Sequence, residues 1–140
     1  MSNDTSNLLP ETDLLFLNEK YSDAQVYKVG EEIHVLLPTF AFPNNYQPAA
    51  ANLLIRLPVG YPDVKPDMFW TRPDVKLKSG AWPAASEHHE VPGGGPGSEV
   101  YQGITWQRWS RHTNDLAWRP GIDGLRSYVT TIKRELDRQI

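Results

Sequence analysis

The sequence has no cysteine among its 140 residues. That excludes disulfide frameworks, cysteine-ligated zinc, iron–sulfur clusters and every thiol nucleophile together. A basic excess is also missing: 14 Lys and Arg stand against 17 Asp and Glu, a formal charge of -3. A general nucleic-acid binder carries the opposite balance, so no nucleic-acid partner is expected. No apolar run approaches the ~20 residues that cross a bilayer, so no membrane partner is expected either. Met1 to Asn7 is polar and lacks the basic-then-apolar order of a secretory leader. The expectation is a cytoplasmic protein. The remaining composition, 39% hydrophobic and 22% charged, is that of an ordinary folded domain, and the length suits one domain.

Proline and tryptophan are abundant instead, at 12 and 5 residues. Residues 1–11 read as a disordered lead, and 12–140 as a single domain. Thr12 precedes the apolar patch Asp13-Leu14-Leu15-Phe16-Leu17. That patch fits a short helix capped by Thr12, or equally a strand. From Ala24 the pattern alternates. Ala24–Val29 and Ile33–Leu37 form a hairpin around Gly30-Glu31-Glu32. After a proline-rich connection, Pro38 to Pro48, a third strand runs from Asn52 to Leu57, and a fourth covers Asp67 to Thr71. Between them Tyr61-Pro62-Asp63-Val64-Lys65-Pro66 is expected to be rigid and extended, since two prolines so close fit no helix or central strand. Residues 72–99 are expected to be irregular, with the glycine-rich 92–97 segment expected to be a flexible surface loop. It lacks the Lys and Ser/Thr of a phosphate-binding loop. Tyr101 to Pro120 is dense in aromatic and polar side chains. Leu125, Tyr128, Val129, Ile132, Leu136 and Ile140 then recur at helical spacing after Asp123, the expected N-cap. The fold class is α+β: a four-stranded antiparallel meander, a short N-terminal helix and a closing C-terminal helix.

The order of these elements and two short motifs resembles the ubiquitin-conjugating enzyme (UBC) superfamily. The motifs are Tyr61-Pro62-x-x-x-Pro66 after the third strand and Trp118-x-Pro120 ahead of the helix. The resemblance spans about residues 12–140 and is nearest to divergent bacterial relatives. It implies a UBC-like fold whose closing helix is the crossover helix. It also implies a ubiquitin-like protein and an activating-enzyme-like protein as partners, with a deconjugating peptidase in the same pathway. No cofactor is implied. Three departures stand out. The catalytic cysteine is absent, the His-Pro-Asn segment has no counterpart (His88-His89-Glu90 lies too far upstream), and the chain ends after one helix.

In that family the cysteine commonly lies eight residues before the tryptophan, and the same count from Trp118 reaches Ser110. Ser110 would then carry the ubiquitin-like C-terminus as an oxyester. A serine hydroxyl needs a general base, and His112 is placed for that role, with Asp115 to orient it. Arg111 or Arg108 would stabilise developing charge on the acyl oxygen. No Gly-x-Ser-x-Gly elbow and no His-Glu-x-x-His occurs, so hydrolase and metalloprotease readings fail and no metal site is expected. The alternative is a catalytically inactive variant that binds a ubiquitin-like protein or activating enzyme as a scaffold. Its binding surface would use Phe40, Phe42, Tyr46 and Trp82.

Overall fold

The computed structural model describes residues 8–89, 99–101, 103–111 and 117–138. The lead 1–7, the glycine-rich loop, Glu90, His112, Asp115 and Ile140 lie outside the described residues. Helix α1 covers Glu11–Lys20, which resolves the ambiguous apolar patch as helix. It begins one residue ahead of Thr12, with Pro10 at the N-cap and no side-chain cap, so Thr12 does not cap it. Leu9, Phe16 and Leu17 are buried, and packing therefore reaches ahead of residue 12.

Strands β1 (Gln25–Val29) and β2 (Glu32–Ala41) form the expected hairpin. Gly30 opens the turn with φ +61, a conformation that costs glycine nothing. β2 continues past Pro38, where a strand end was expected. The register shifts between Leu37 and Phe40, so Pro38 sits in a bulge where its missing N–H breaks no ladder bond. β3 (Tyr46–Gln47) pairs with β6 (Lys76–Leu77) in a separate ribbon. β4 is Ala50–Leu57, β5 Phe69–Arg72, β7 Ser86–Glu87, β8 Glu99–Tyr101 and β9 Ile104–Trp109.

The main sheet is antiparallel and seven-stranded, in the order β1-β2-β4-β5-β9-β7, with β8 also on β9. The four expected strands thus make only one side of a larger sheet, and a four-stranded meander is too small a description. Ile104–Trp109, for which no strand was expected, is a strand whose Trp106, Gln107 and Trp109 are buried, so both of its faces are covered there and it shows no polar alternation.

Tyr61 to Pro66 also departs from expectation. Its start is a compact turn: Tyr61 N donates to Pro58 O at 3.0 Å, and Asp63 N to Gly60 O at 2.8 Å. Gly60, at φ +96, permits this reversal, and a Cβ there would come 2.8 Å from Val64 Cγ2.

Helix α2, Leu125–Asp137, lies where the periodicity put it. Its buried Leu125, Tyr128, Val129, Ile132 and Leu136 pack on Leu37, Leu53, Ile55, Leu57, Phe69 and Trp109 from the inner sheet face. Leu54, Trp70 and Trp106 form a second cluster with Tyr101. Phe40, Phe42 and Tyr46 belong to the main core and are not a binding surface, and the Tyr46 hydroxyl donates to Leu136 O at 2.9 Å. Trp82 is half-buried. The expected cap Asp123 does not cap α2. The Leu125 amide is met by Asp13 Oδ1 at 3.0 Å, and Gly124 N donates to Ser127 Oγ at 3.0 Å. Asp123 instead accepts from the Arg119 amide at 2.8 Å.

Candidate functional site

Ser110 follows the last residue of β9 and is half-buried. β7 pairs with β9 so that Ser86 faces Trp109 and Glu87 faces Arg108. This register brings residues 85–87 alongside Ser110. The Ser110 amide donates to Ala85 O at 2.7 Å. Its hydroxyl lies 3.3 Å from the same carbonyl and 3.4 Å from Glu87 Oε1. Arg108 Nη2 reaches that same carboxylate oxygen at 3.4 Å, and Arg108 Nη1 lies 4.0 Å from Glu99 Oε1. Glu87 Oε2 and Arg108 Nε are buried and make no hydrogen bond among the described residues.

Serine, carboxylate and guanidinium therefore form one contiguous group. A carboxylate at that distance can accept a hydroxyl proton, and a guanidinium beside it favours negative charge. Glu87 was not legible as a site residue. It enters through β7–β9 pairing, which no local pattern announces.

Arg111 is brought next to Ser110 by sequence but is directed elsewhere. Its Nε donates to Ala84 O at 3.1 Å and its Nη1 to Glu135 O at 2.8 Å, and its guanidinium lies 5.2 Å from the Trp109 ring centre. A cation there also suits the C-terminal end of α2. At the Ser110–Glu87 pair the guanidinium in place is that of Arg108.

The two histidines upstream are engaged locally. His89 Nδ1 pairs with the buried Asp74, and its amide donates to Asp74 Oδ1 at 3.1 Å. His88 stacks on Trp82 with ring centres 3.4 Å apart, and partial burial lowers its pKa. Asp74 and His89 offer two donors. Among the described residues no group of three His, Asp or Glu side chains converges, as a metal site would need.

The two sequence motifs meet. Trp118 Nε1 donates to Pro62 O at 2.7 Å, and the Tyr61 and Trp118 rings lie 6.3 Å apart. The Tyr61 hydroxyl donates to Asp13 Oδ2 at 2.6 Å. Burial raises the Tyr61 pKa, and the Asp13 carboxylate raises it further. Pro66 is buried, while Pro120 is exposed in the turn before α2. The motif residues thus build the support on which α2 starts.

An antiparallel sheet with one helix before it, a closing helix across it and interlocked Tyr-Pro and Trp-x-Pro turns is compatible with a conjugating-enzyme-like fold. The family described as Prokaryotic E2 family E matches residues 9–139. The chain belongs to that family, within the UBC-like superfamily of bacterial E2 proteins, and it is a member without cysteine. Neither a curated protein nor a solved structure matches it. Among the described residues no helix is long and apolar enough to cross a membrane.

Proposed function

We propose that this protein binds a ubiquitin-like protein and its activating-enzyme-like partner in a bacterial ubiquitin-like modification pathway, holding them without a covalent link. One observation carries this reading. At the position where the family resemblance places the nucleophile, Ser110 has its amide on Ala85 O and its hydroxyl within 3.3 Å of the same carbonyl. Both serve the β7–β9 junction. The neighbouring Arg111 guanidinium is likewise committed to backbone carbonyls. Without a thiol, acyl transfer would need a hydroxyl far weaker as a nucleophile at neutral pH.

A second reading is favoured by Glu87. Its Oε1 lies 3.4 Å from Ser110 Oγ, so the carboxylate is placed to receive the hydroxyl proton. Ser110 Oγ would then attack the thioester carbonyl on the activating enzyme. The new C–O bond forms, the C–S bond breaks, and the proton passes to the departing thiolate. His112, with Asp115 to orient it, is the alternative base in this reading, and Arg108 or Arg111 would stabilise the acyl oxygen.

Intact-mass spectrometry and size-exclusion chromatography separate the two. The protein is mixed with ATP, a bacterial ubiquitin-like protein and the activating enzyme of that ubiquitin-like protein. A complex without a mass change supports the binding reading. An alkali-labile adduct of the ubiquitin-like mass less one water, absent in Ser110→Ala, replaces it with the oxyester reading. Neither complex nor adduct overturns both.

A further inference from the structure

An open groove of about 590 Å³ runs beside α2, from Thr12 and Asp13 at one end to Arg134 at the other. Three of its lining side chains are arginines: Arg119, Arg126 and Arg134. The Arg119 and Arg126 side chains are 65% and 60% exposed. Arg134 is exposed, and its guanidinium has no hydrogen bond or ion pair among the described residues.

The acidic groups of the groove do not balance these cations. Both oxygens of Asp13 are occupied, by the Tyr61 hydroxyl and the Leu125 amide. Asp123 is held by Arg119, through its amide and its guanidinium, and by the Ser127 side chain. Arg126 pairs with Glu19 at 3.2 Å, but both side chains are about 60% exposed, so an incoming carboxylate displaces that pair at little cost. The Leu125 amide that opens α2 is already taken by Asp13, and the preceding Gly124 amide by Ser127. The attraction for anions is therefore assigned to the arginine side chains. It opposes the sign of the whole chain, which is -3. Ile122 adds an apolar spot, 70% exposed, in the groove wall.

We infer that this groove docks an acidic segment of a partner protein, with carboxylates on Arg126 and Arg134 and an apolar side chain on Ile122. Those two arginines are separated by roughly 12 Å along α2. An extended peptide covers that distance in about four residues, so its carboxylates would be spaced accordingly. The inference is independent of whether Ser110 is acylated, because none of the groove residues touches the Ser110–Glu87 group.

The test is fluorescence anisotropy with a short labelled peptide of glutamates around one isoleucine. Saturable binding is expected, weakening as salt rises. The Arg126→Glu/Arg134→Glu variant should lose about tenfold or more in affinity, and Arg134→Glu alone part of that. Lys28→Glu, on the edge strand β1, should bind as the wild type does. Among the described residues the Arg134 side chain makes no hydrogen bond or ion pair, so its variant is expected to fold, which circular dichroism checks. Equal binding of a glutamine peptide, or undiminished binding by the double variant, overturns the inference. So does competition by inorganic phosphate as strong as by the peptide, which would mark a simple anion site. Self-association through this face, seen by sedimentation and lost in the double variant, would assign it to a second copy and overturn it as well.

Discussion

The Tyr61 hydroxyl and the Asp13 carboxylate meet at 2.6 Å across three parts of the fold. Asp13 belongs to α1 and is 3% exposed, Tyr61 to the turn after β4, and the other Asp13 oxygen caps the first amide of α2. A buried carboxylate is tolerated because each oxygen has a donor. Asp13→Ala leaves the Leu125 amide and the Tyr61 hydroxyl without partners. A loss of roughly 2–4 kcal/mol in urea unfolding is expected. Tyr61→Phe should cost less, about 1 kcal/mol. The double variant should fall well short of the sum, and strict additivity would mean the two groups are not coupled.

Gly124 lies against the same carboxylate. A Cβ added there would stand 2.6 Å from Asp13 Oδ1 and 3.4 Å from the Tyr61 hydroxyl. The backbone at Gly124 is extended, so the obstacle is space and not conformation. Gly124→Ala should destabilise by about 1–3 kcal/mol, through displacement of the cap. Thermal unfolding checks this, and an unchanged or raised midpoint counts against the packing argument.

Trp118 joins the two motifs through a single N–H. Trp118→Phe keeps most of the aromatic surface and removes the donor to Pro62 O. The expected loss is about 1–2 kcal/mol, since the indole is part-buried and water can replace some of the bond. Trp118→Ala should cost more, because the contact with Tyr61 goes too. Equal losses for the two substitutions would place the whole effect in the hydrogen bond.

His34 is 1% exposed and lies between the rings of Tyr27 and Tyr101. Burial lowers its pKa, Glu32 opposes that shift, and Arg56 adds to it. The folded protein therefore binds fewer protons at His34 than the unfolded chain does. The stabilisation is complete above the unfolded value of 6.5 and is lost as pH falls below it towards the lower folded value. Urea midpoints should decline through that window, and His34→Phe should flatten the decline. His88 is shifted in the same direction, so His88→Gln should remove only its own share. Parallel pH profiles for wild type and His34→Phe would contradict this assignment.

What the sequence disclosed follows from how local each signal is. α2 was legible because its apolar residues repeat at helical spacing on one buried face. β9 was not, because the inward Gln107 is polar yet fully buried. It accepts from Val75 N at 2.7 Å and donates to Val75 O at 3.0 Å, as a strand's backbone would. No alternation rule anticipates that pairing. Asp123 looked like a cap because capping is usually supplied by the preceding residues, whereas here it arrives from Asp13 on another helix. Phe40, Phe42 and Tyr46 looked available because proline and asparagine surround them. The bulge in β2 turns that stretch into core. At the candidate site, Ser110 was located by a count from Trp118, while Glu87 depended on a strand pairing across 23 residues of chain.

Arg111 ties Ala84 O to Glu135 O, linking the β7–β9 corner to the last turn of α2. Neither end can separate while that guanidinium stays in place. The two regions should therefore behave as one cooperative opening unit. In native-state hydrogen exchange, the amides of β9, Ser110 and the final turn of α2 would share a common opening free energy, and Arg111→Ala would split them into two. Whatever docks beside Ser110 would then meet a surface already set, and little ordering entropy would be spent on binding there.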